Sequence, residues 1–141
     1  MKLYLFDTDT VIYFIKGHDA VVEKFISFPL VQLYISDITC AELYYGAYNS
    51  EFPERNLRTV NGVIGNLSAV PFNTSASKVF GELKAELKKK GELIADMDLM
   101  IAAIAVAGNY TLVTNNVKHF ERIKNLKLEN WSEYEYKANK H

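Results

Sequence analysis

Residues 96–116 read DMDLMIAAIAVAGNYTLVTNN, a pattern that predicts one helix followed closely by one strand. The helix should run over 96–107 with Asp96 as its cap, and because it is apolar on nearly all sides, we expect it to be buried. The strand over 110–114 is short and apolar and ends at two asparagines. A buried helix leading into a short strand is typical of an α/β structure in layers.

The rest of the chain repeats this alternation of strands and helices. An apolar strand over 2–6 is followed by a helix over 8–16 that Gly17 ends. Further helical patterns cover 21–26, 36–48 with Ser36 as N-cap, 53–67 with Pro53 in the first turn, and 76–87 with Gly91 as its end, and further strands cover 32–35, 69–72 and 127–130. Such alternation implies a short, mostly parallel sheet of about four to five strands, covered by helices on both faces.

Length and composition limit what the chain can do. Its 141 residues suit a single domain over 1–141, with 132–141 expected as a frayed tail. The net charge of −1 excludes binding of nucleic acid by a uniformly basic surface. The single cysteine, Cys40, excludes an intramolecular disulfide and any zinc site made of paired thiolates.

The sequence also bears on location. Asp7 and Asp9 interrupt the segment that a signal peptide would need to be apolar, so no export signal is expected. The most apolar run, over 99–107, is far shorter than the ~20 residues that a membrane span needs. We therefore expect a cytoplasmic protein that does not contact a membrane.

Polar residues follow two of the predicted strands, and an acid opens the buried helix. Asp7 follows the first strand, Asn115 and Asn116 follow the strand over 110–114, and Asp98 is the only charged residue between residues 97 and 107. Parallel sheets bind ligands at the carboxyl ends of their strands. An unpaired carboxylate on a buried helix is costly, so Asp98 should need a compensating charge.

Each acid also has a purely structural interpretation. Asp7 can act as the N-cap of the helix after it, and Asp96 and Asp98 are both favoured by the positive end of their helix. Glu42, in the middle of a helix, can simply be solvated. If the carboxylates meet, they repel one another unless a divalent cation neutralises them. Carboxylate and amide oxygens favour Mg²⁺ or Mn²⁺ over zinc, and such an ion can activate water for phosphodiester hydrolysis.

Six short segments in order carry a family resemblance. They are FDTDTVIY over 6–13, SDITCAELYYGA over 36–47, PERN over 53–56, DLMIAA over 98–103, LVTNN over 112–116 and FER over 120–122. Together they resemble the PIN-domain ribonucleases, specifically the VapC-type toxins of bacterial toxin–antitoxin pairs. The segment from Leu5 to Val11 also matches the opening motif of haloacid-dehalogenase-type phosphohydrolases. That family needs a later pair of aspartates, and no Asp follows Asp98.

The resemblance implies a PIN-like fold and a Mg²⁺-dependent endoribonuclease, with Mn²⁺ as a substitute ion. Asp7 and Asp98 would bind the ion, and Glu42 would hold or activate the water. Asn116 occupies the fourth acidic position of many PIN domains and can coordinate or orient but cannot act as a base, so we expect one well-bound ion. His119, at a position that is often Glu in close relatives, is expected to be solvated, with contact to a phosphate as the alternative.

The resemblance also implies partners. These are an RNA substrate, either tRNA or another structured RNA, a second copy of the chain in a homodimer, and a cognate antitoxin that inhibits the toxin. Between residues 78 and 127 there are 9 Lys or Arg against 6 Asp or Glu, so this half is the expected RNA face. Its densest basic run, over 84–90, is expected to be a solvated helix face.

Two other functions remain open at this stage. A non-catalytic PIN-like module would bind RNA or protein, although Asp7, Glu42 and Asp98 are all present. A metal-dependent nuclease of single-stranded DNA would use the same acids, because only contacts to the 2′-hydroxyl distinguish RNA from DNA.

Overall fold

The computed structural model describes residues 1–133, which contain five strands and seven α-helices in alternation. In chain order the elements are β1 (Tyr4–Phe6), α1 (Thr8–Ile15), α2 (Asp19–Ile26), β2 (Leu33–Ser36), α3 (Asp37–Tyr48), α4 (Pro53–Asn66), β3 (Ser68–Val70), α5 (Thr74–Lys90), α6 (Asp96–Gly108), β4 (Thr111–Val113), α7 (Val117–Phe120) and β5 (Lys127–Glu129). Every helix and strand that the sequence predicted is present, and α7 is an additional short helix.

The strands form one sheet in the order β3-β2-β1-β4-β5, and all four pairings are parallel. The α/β architecture predicted from the sequence is therefore confirmed. Strand β1 lies in the centre, with Phe6 opposite Ile35 of β2 on one side and Val113 of β4 on the other. The ends of β1, β2 and β4 are thus adjacent, and the residues that follow these strands lie at one edge of the sheet.

Helices cover the sheet on both faces because successive strand residues point to opposite sides. Tyr4 and Phe6 pack into an apolar layer with α1, α2, α3 and α4, whereas Leu5 packs into a second layer with α5 and α6. All three residues of β1 are buried, as expected for a central strand covered on both faces.

Several element ends were predicted correctly from local chemistry. Ser36 is the N-cap of α3, where its hydroxyl accepts a hydrogen bond from Thr39 N. Gly17 and Gly91 follow α1 and α5 with positive φ angles of 77° and 68°, which residues other than glycine rarely adopt.

The predicted cap of α6 is wrong. The N-cap is Ala95, and Asp96 is the first helical residue, where its carboxylate accepts a hydrogen bond from Lys84 Nζ at 2.9 Å instead. Lys84 also lies over the ring of Phe80, so part of the predicted basic run is paired.

The second strand begins one residue later than the sequence predicted. Gln32 belongs to a 3-10 turn after Pro29, and β2 begins at Leu33.

Trp131, which precedes the predicted tail, belongs to the core. Trp131 is only 3% exposed and packs against Tyr4, Phe6 and Phe28, with ring centroids 5.1 to 5.4 Å apart. Of the predicted tail, residues 134–141 lie outside the described residues. Among residues 1–133, none of the helices has the length and apolar character needed to cross a membrane.

Candidate active site

Asp7 is fixed at the point where the two central strands end. Its backbone N–H donates to the carbonyl of Val113 at 3.0 Å, and the hydroxyl of Thr10 donates to the same carbonyl at 3.1 Å. These two bonds attach the start of α1 to the end of β4. Residues that are distant in the sequence are therefore brought to one edge of the sheet.

The carboxylate of Asp7 is the N-cap of α1 and is buried, with 6% of the residue exposed. Its Oδ1 accepts a hydrogen bond from Thr10 N at 2.9 Å. Loss of solvent raises the pKa of Asp7 above its ordinary value, although hydrogen bonds from Thr114 and Thr10 act in the opposite direction. No basic side chain within residues 1–133 forms an ion pair with it.

Glu42 is tied to the same edge through Thr8. The hydroxyl of Thr8 donates to Glu42 Oε1 at 2.6 Å and lies 3.2 Å from the hydroxyl of Thr39. Glu42 is half-buried on α3, so it is not the freely solvated side chain that its helical position allowed. Thr8 is a site residue that sequence reasoning missed, and its one signal was its place directly after Asp7.

Asp98 is in the first turn of α6 and is less buried than the sequence predicted. Its side chain is 40% exposed, and the buried part of the helix begins one residue later, at Leu99. The expected compensating partner is nevertheless present. His119 Nε2 lies 3.2 Å from Asp98 Oδ2.

The prediction that His119 is solvated is therefore wrong. Its imidazole contacts Asp98 and packs edge-on against the buried ring of Phe120. The pattern could not reveal this contact because α7, which carries His119, is too short to show a periodicity. The two residues are brought together only by the packing of α7 beside the start of α6.

The two asparagines after β4 have different environments. Asn116 is exposed, and its hydrogen bonds are made by the backbone: its N–H donates to Thr114 Oγ1 at 3.0 Å, and its carbonyl accepts from His119 N at 3.1 Å. Asn115 Oδ1, in contrast, is buried and has no hydrogen-bond partner. A buried amide oxygen without a protein partner can accept a hydrogen bond from water or bind a cation.

The carboxylates do not form a single cluster. Within residues 1–133 there is no group of three or more His, Cys, Asp or Glu side chains able to hold a metal ion. Each acid has its own partner instead: backbone and hydroxyl donors around Asp7, Thr8 at Glu42, and His119 at Asp98.

The donor types nevertheless fit a hard divalent cation. The acids and Asn115 offer only oxygen ligands, as Mg²⁺ and Mn²⁺ prefer. Two of these groups have unmet needs that a cation would satisfy: the buried carboxylate of Asp7 has no basic partner, and Asn115 Oδ1 has no donor.

Comparison with known proteins gives the family. The model of the PIN domain matches residues 4–126. Ribonuclease VapC2 of Haemophilus influenzae is 40% identical over 131 residues, which cover 93% of this chain and 99% of that protein. The chain belongs to the VapC family of PIN-domain ribonucleases. The resemblance seen in the six sequence segments is thus confirmed.

Other VapC relatives agree over the same length. The tRNA(fMet)-specific endonuclease VapC of Salmonella typhimurium is 37% identical over 131 residues, covering 93% of this chain and 99% of that protein. The crystal structure of DNA-bound VapBC from the same organism matches with a TM-score of 0.88 and 39% identity, covering 93% of this chain and 99% of that one. VapBC2 from Rickettsia felis, bound to a promoter DNA fragment, matches with a TM-score of 0.85 and 38% identity, covering 92% and 98%.

Proposed function

We propose that this chain, folded as a single domain, is a Mg²⁺-dependent endoribonuclease toxin that hydrolyses phosphodiester bonds in RNA. The observation that carries the proposal is the buried carboxylate of Asp7, which has no basic partner among residues 1–133 and lies at the carboxyl end of the central strand. The buried, unpartnered amide oxygen of Asn115 supports the same site.

The residues divide the work by their contacts. Asp7 and Asp98 would hold the ion, and Mn²⁺ would replace Mg²⁺ because both prefer oxygen ligands. When bound, such an ion supplies a water of lowered pKa and neutralises phosphate charge. The hydrogen bond from Thr10 N holds the Asp7 side chain in one rotamer, so its carboxylate is already oriented for the ion.

Glu42 would orient the attacking water and accept its proton. The bond from Thr8 engages only Oε1 of Glu42, so the other carboxylate oxygen keeps its capacity to accept a hydrogen bond. Asn116 would complete the site as an orienting group, since an amide cannot act as a base at neutral pH. His119 would hold the carboxylate of Asp98 in its orientation through the contact at Oδ2.

The structure also offers a surface for an antitoxin, as expected for a chain similar to the toxins of VapBC complexes. An apolar cavity of about 590 Å³ lies between α2 and α4. Its lining includes Phe14, Phe25, Phe28, Val63 and Leu67. Ile26 and Leu30 line it as well, although both are largely exposed. An apolar helix or tail of a cognate antitoxin would cover these side chains and inhibit the nuclease. We also propose that the chain forms a homodimer.

The test is incubation of the purified chain, freed of any antitoxin, with total tRNA in Mg²⁺, in Mn²⁺ and in EDTA. Discrete fragments that require the metal are expected, and their ends identify the cleaved bond. The Asp98→Asn variant should abolish them. Asp96→Asn is the matched control. It removes an acid from the same helical turn, but Asp96 pairs with Lys84 and not with a residue of the site.

Other outcomes would exclude the proposal. A folded chain that binds RNA but cuts none would indicate a binding module without catalytic activity. Cleavage of single-stranded DNA in preference to RNA would assign the same acids to a different substrate. Equal loss of cleavage in Asp96→Asn and Asp98→Asn would mean that the helix start matters only structurally.

A further inference from the structure

A second, polar cavity lies beside the candidate active site. Its volume is about 580 Å³, and the residues that line it are Glu92, Asn116, Lys118, His119, Glu121 and Arg122. Most of them lie on or next to α7, which follows β4. The cavity therefore opens at the same edge of the sheet as the carboxylates.

Two residues, Asn116 and His119, connect this cavity to the candidate active site. The imidazole of His119 lines the cavity and, through Nε2, lies 3.2 Å from Asp98 Oδ2. Asn116, the last residue before α7, also lines it. A ligand bound in the cavity would therefore contact His119, which in turn contacts Asp98, a residue that we place in the catalytic site.

Two cations of this cavity are free to bind an anion. Neither Lys118 nor Arg122 forms an ion pair with any side chain of residues 1–133, although Glu92 and Glu121 line the same cavity. Arg122 is positioned by a hydrogen bond from Nη1 to the backbone carbonyl of Glu92, at 3.1 Å. That acceptor carries no net charge, so the guanidinium keeps its full charge and its other N–H groups for a ligand.

We propose that this cavity is a phosphate-binding subsite for the RNA strand, in which Lys118 and Arg122 hold a backbone phosphate that flanks the cleaved bond. The inference rests on the proposed function, since it takes Asp98 as part of the catalytic site. A polyanion must approach an acidic site on a chain of net charge −1, so local cations have to provide the attraction. Phosphate contacts of this kind position the strand and do not read its sequence.

The experiment measures binding separately from cleavage. A short fluorescent oligoribonucleotide is titrated with the full chain in EDTA, by anisotropy, over a series of NaCl concentrations. Lys118→Gln and Arg122→Gln should each weaken binding by about fivefold and lower the slope of log K against log salt by about 0.7, the value for one phosphate of a single strand. Glu121→Gln should tighten binding, because it removes a negative charge from the cavity.

Lys124→Gln is the matched control. Lys124 lies two residues beyond Arg122, is exposed, and does not line the cavity. It should change affinity by less than about twofold, as expected for an exposed charge without a specific contact. Arg122→Lys keeps the charge and should restore most of the salt dependence.

The results separate the subsite from the enzyme. Equal losses in Lys124→Gln and Lys118→Gln, no loss in either cavity variant, or no binding of RNA by the unaltered chain would overturn the subsite. Lys118→Gln serves where Arg122→Gln fails to fold, since no hydrogen bond or ion pair involves the Lys118 side chain within residues 1–133. Binding that depends on both cations, in a chain that cuts no RNA, would keep the subsite and exclude the proposed function.

Discussion

Replacing Asp7 by Asn and by Ala should affect the stability of the fold differently. Asp7 caps α1 by accepting a hydrogen bond from Thr10 N, and an Asn side-chain oxygen can accept the same bond. The carboxylate is also buried, which disfavours its charge. Asn therefore keeps the cap and removes the charge, whereas Ala removes both.

The size of the effect follows from the cap. Loss of the cap costs about 1 kcal/mol, so Asp7→Ala should melt about 3 °C below Asp7→Asn, which lacks the charge but keeps the cap. Asp7→Ala also leaves the N–H of Thr10 without its acceptor in a buried position. Asp7→Asn should be at least as stable as the unaltered chain at pH 7.

The pH dependence of this difference has a definite sign. Because burial raises the folded-state pKa of Asp7 above the ordinary value of 3.8, the folded chain holds a proton where the unfolded chain has lost it. Ionisation therefore destabilises the fold, with the full cost present above the raised folded-state pKa. As the pH falls from there to the ordinary value, the cost disappears, and the stabilities of the Asp7 and Asn chains should converge.

The assay is urea unfolding followed by circular dichroism, in EDTA, at neutral and at mildly acidic pH. Midpoints and slopes are compared for the unaltered chain, Asp7→Asn and Asp7→Ala. If Asp7→Asn unfolds more easily than the unaltered chain at pH 7, the charge itself stabilises the fold. The argument that a cation is needed at this carboxylate would then be refuted.

Three further changes test other contacts. Thr8→Val removes the hydroxyl bonded to Glu42 and should slow tRNA cleavage by about tenfold to a hundredfold in gel assays, with Thr8→Ser near normal. Trp131→Ala should lower the free energy of unfolding, measured in urea, by roughly 3–5 kcal/mol. If Trp131→Ala lost less stability than Trp131→Phe, the place of Trp131 in the core would be refuted. Gly91→Ala should cost about 1 kcal/mol at φ +68°, and an unchanged melting temperature would contradict this.

The sequence predicted what local patterns encode. The apolar strand before Asp7, the cap at Ser36 and the glycines after α1 and α5 are each determined by a few neighbouring residues, and the structure has them in place. The parallel sheet followed from the alternation of these elements, because a helix between two strands returns the chain to the same end of the sheet.

The errors concern contacts between distant segments. The apolar pattern of α6 predicted a buried helix but not where burial begins, so Asp98 was placed too deep. His119 was expected to be solvated because its partner, Asp98, is 21 residues away in the sequence. The core position of Trp131 was not predicted because two of its ring partners, Tyr4 and Phe6, lie on the distant strand β1. Two adjacent asparagines gave no basis for choosing Asn115 as the one with a buried oxygen.

The position of β1 in the sheet has a consequence for biosynthesis. Asp7 is synthesised well before Val113, whose carbonyl in β4 accepts the hydrogen bond from the Asp7 N–H. A ribosome-bound chain that has not reached β4 therefore contains every residue of the Asp7 and Glu42 segments without the strand that fixes them. Incomplete translation products should lack the assembled acidic edge, so the timing of synthesis itself delays the appearance of a toxic activity.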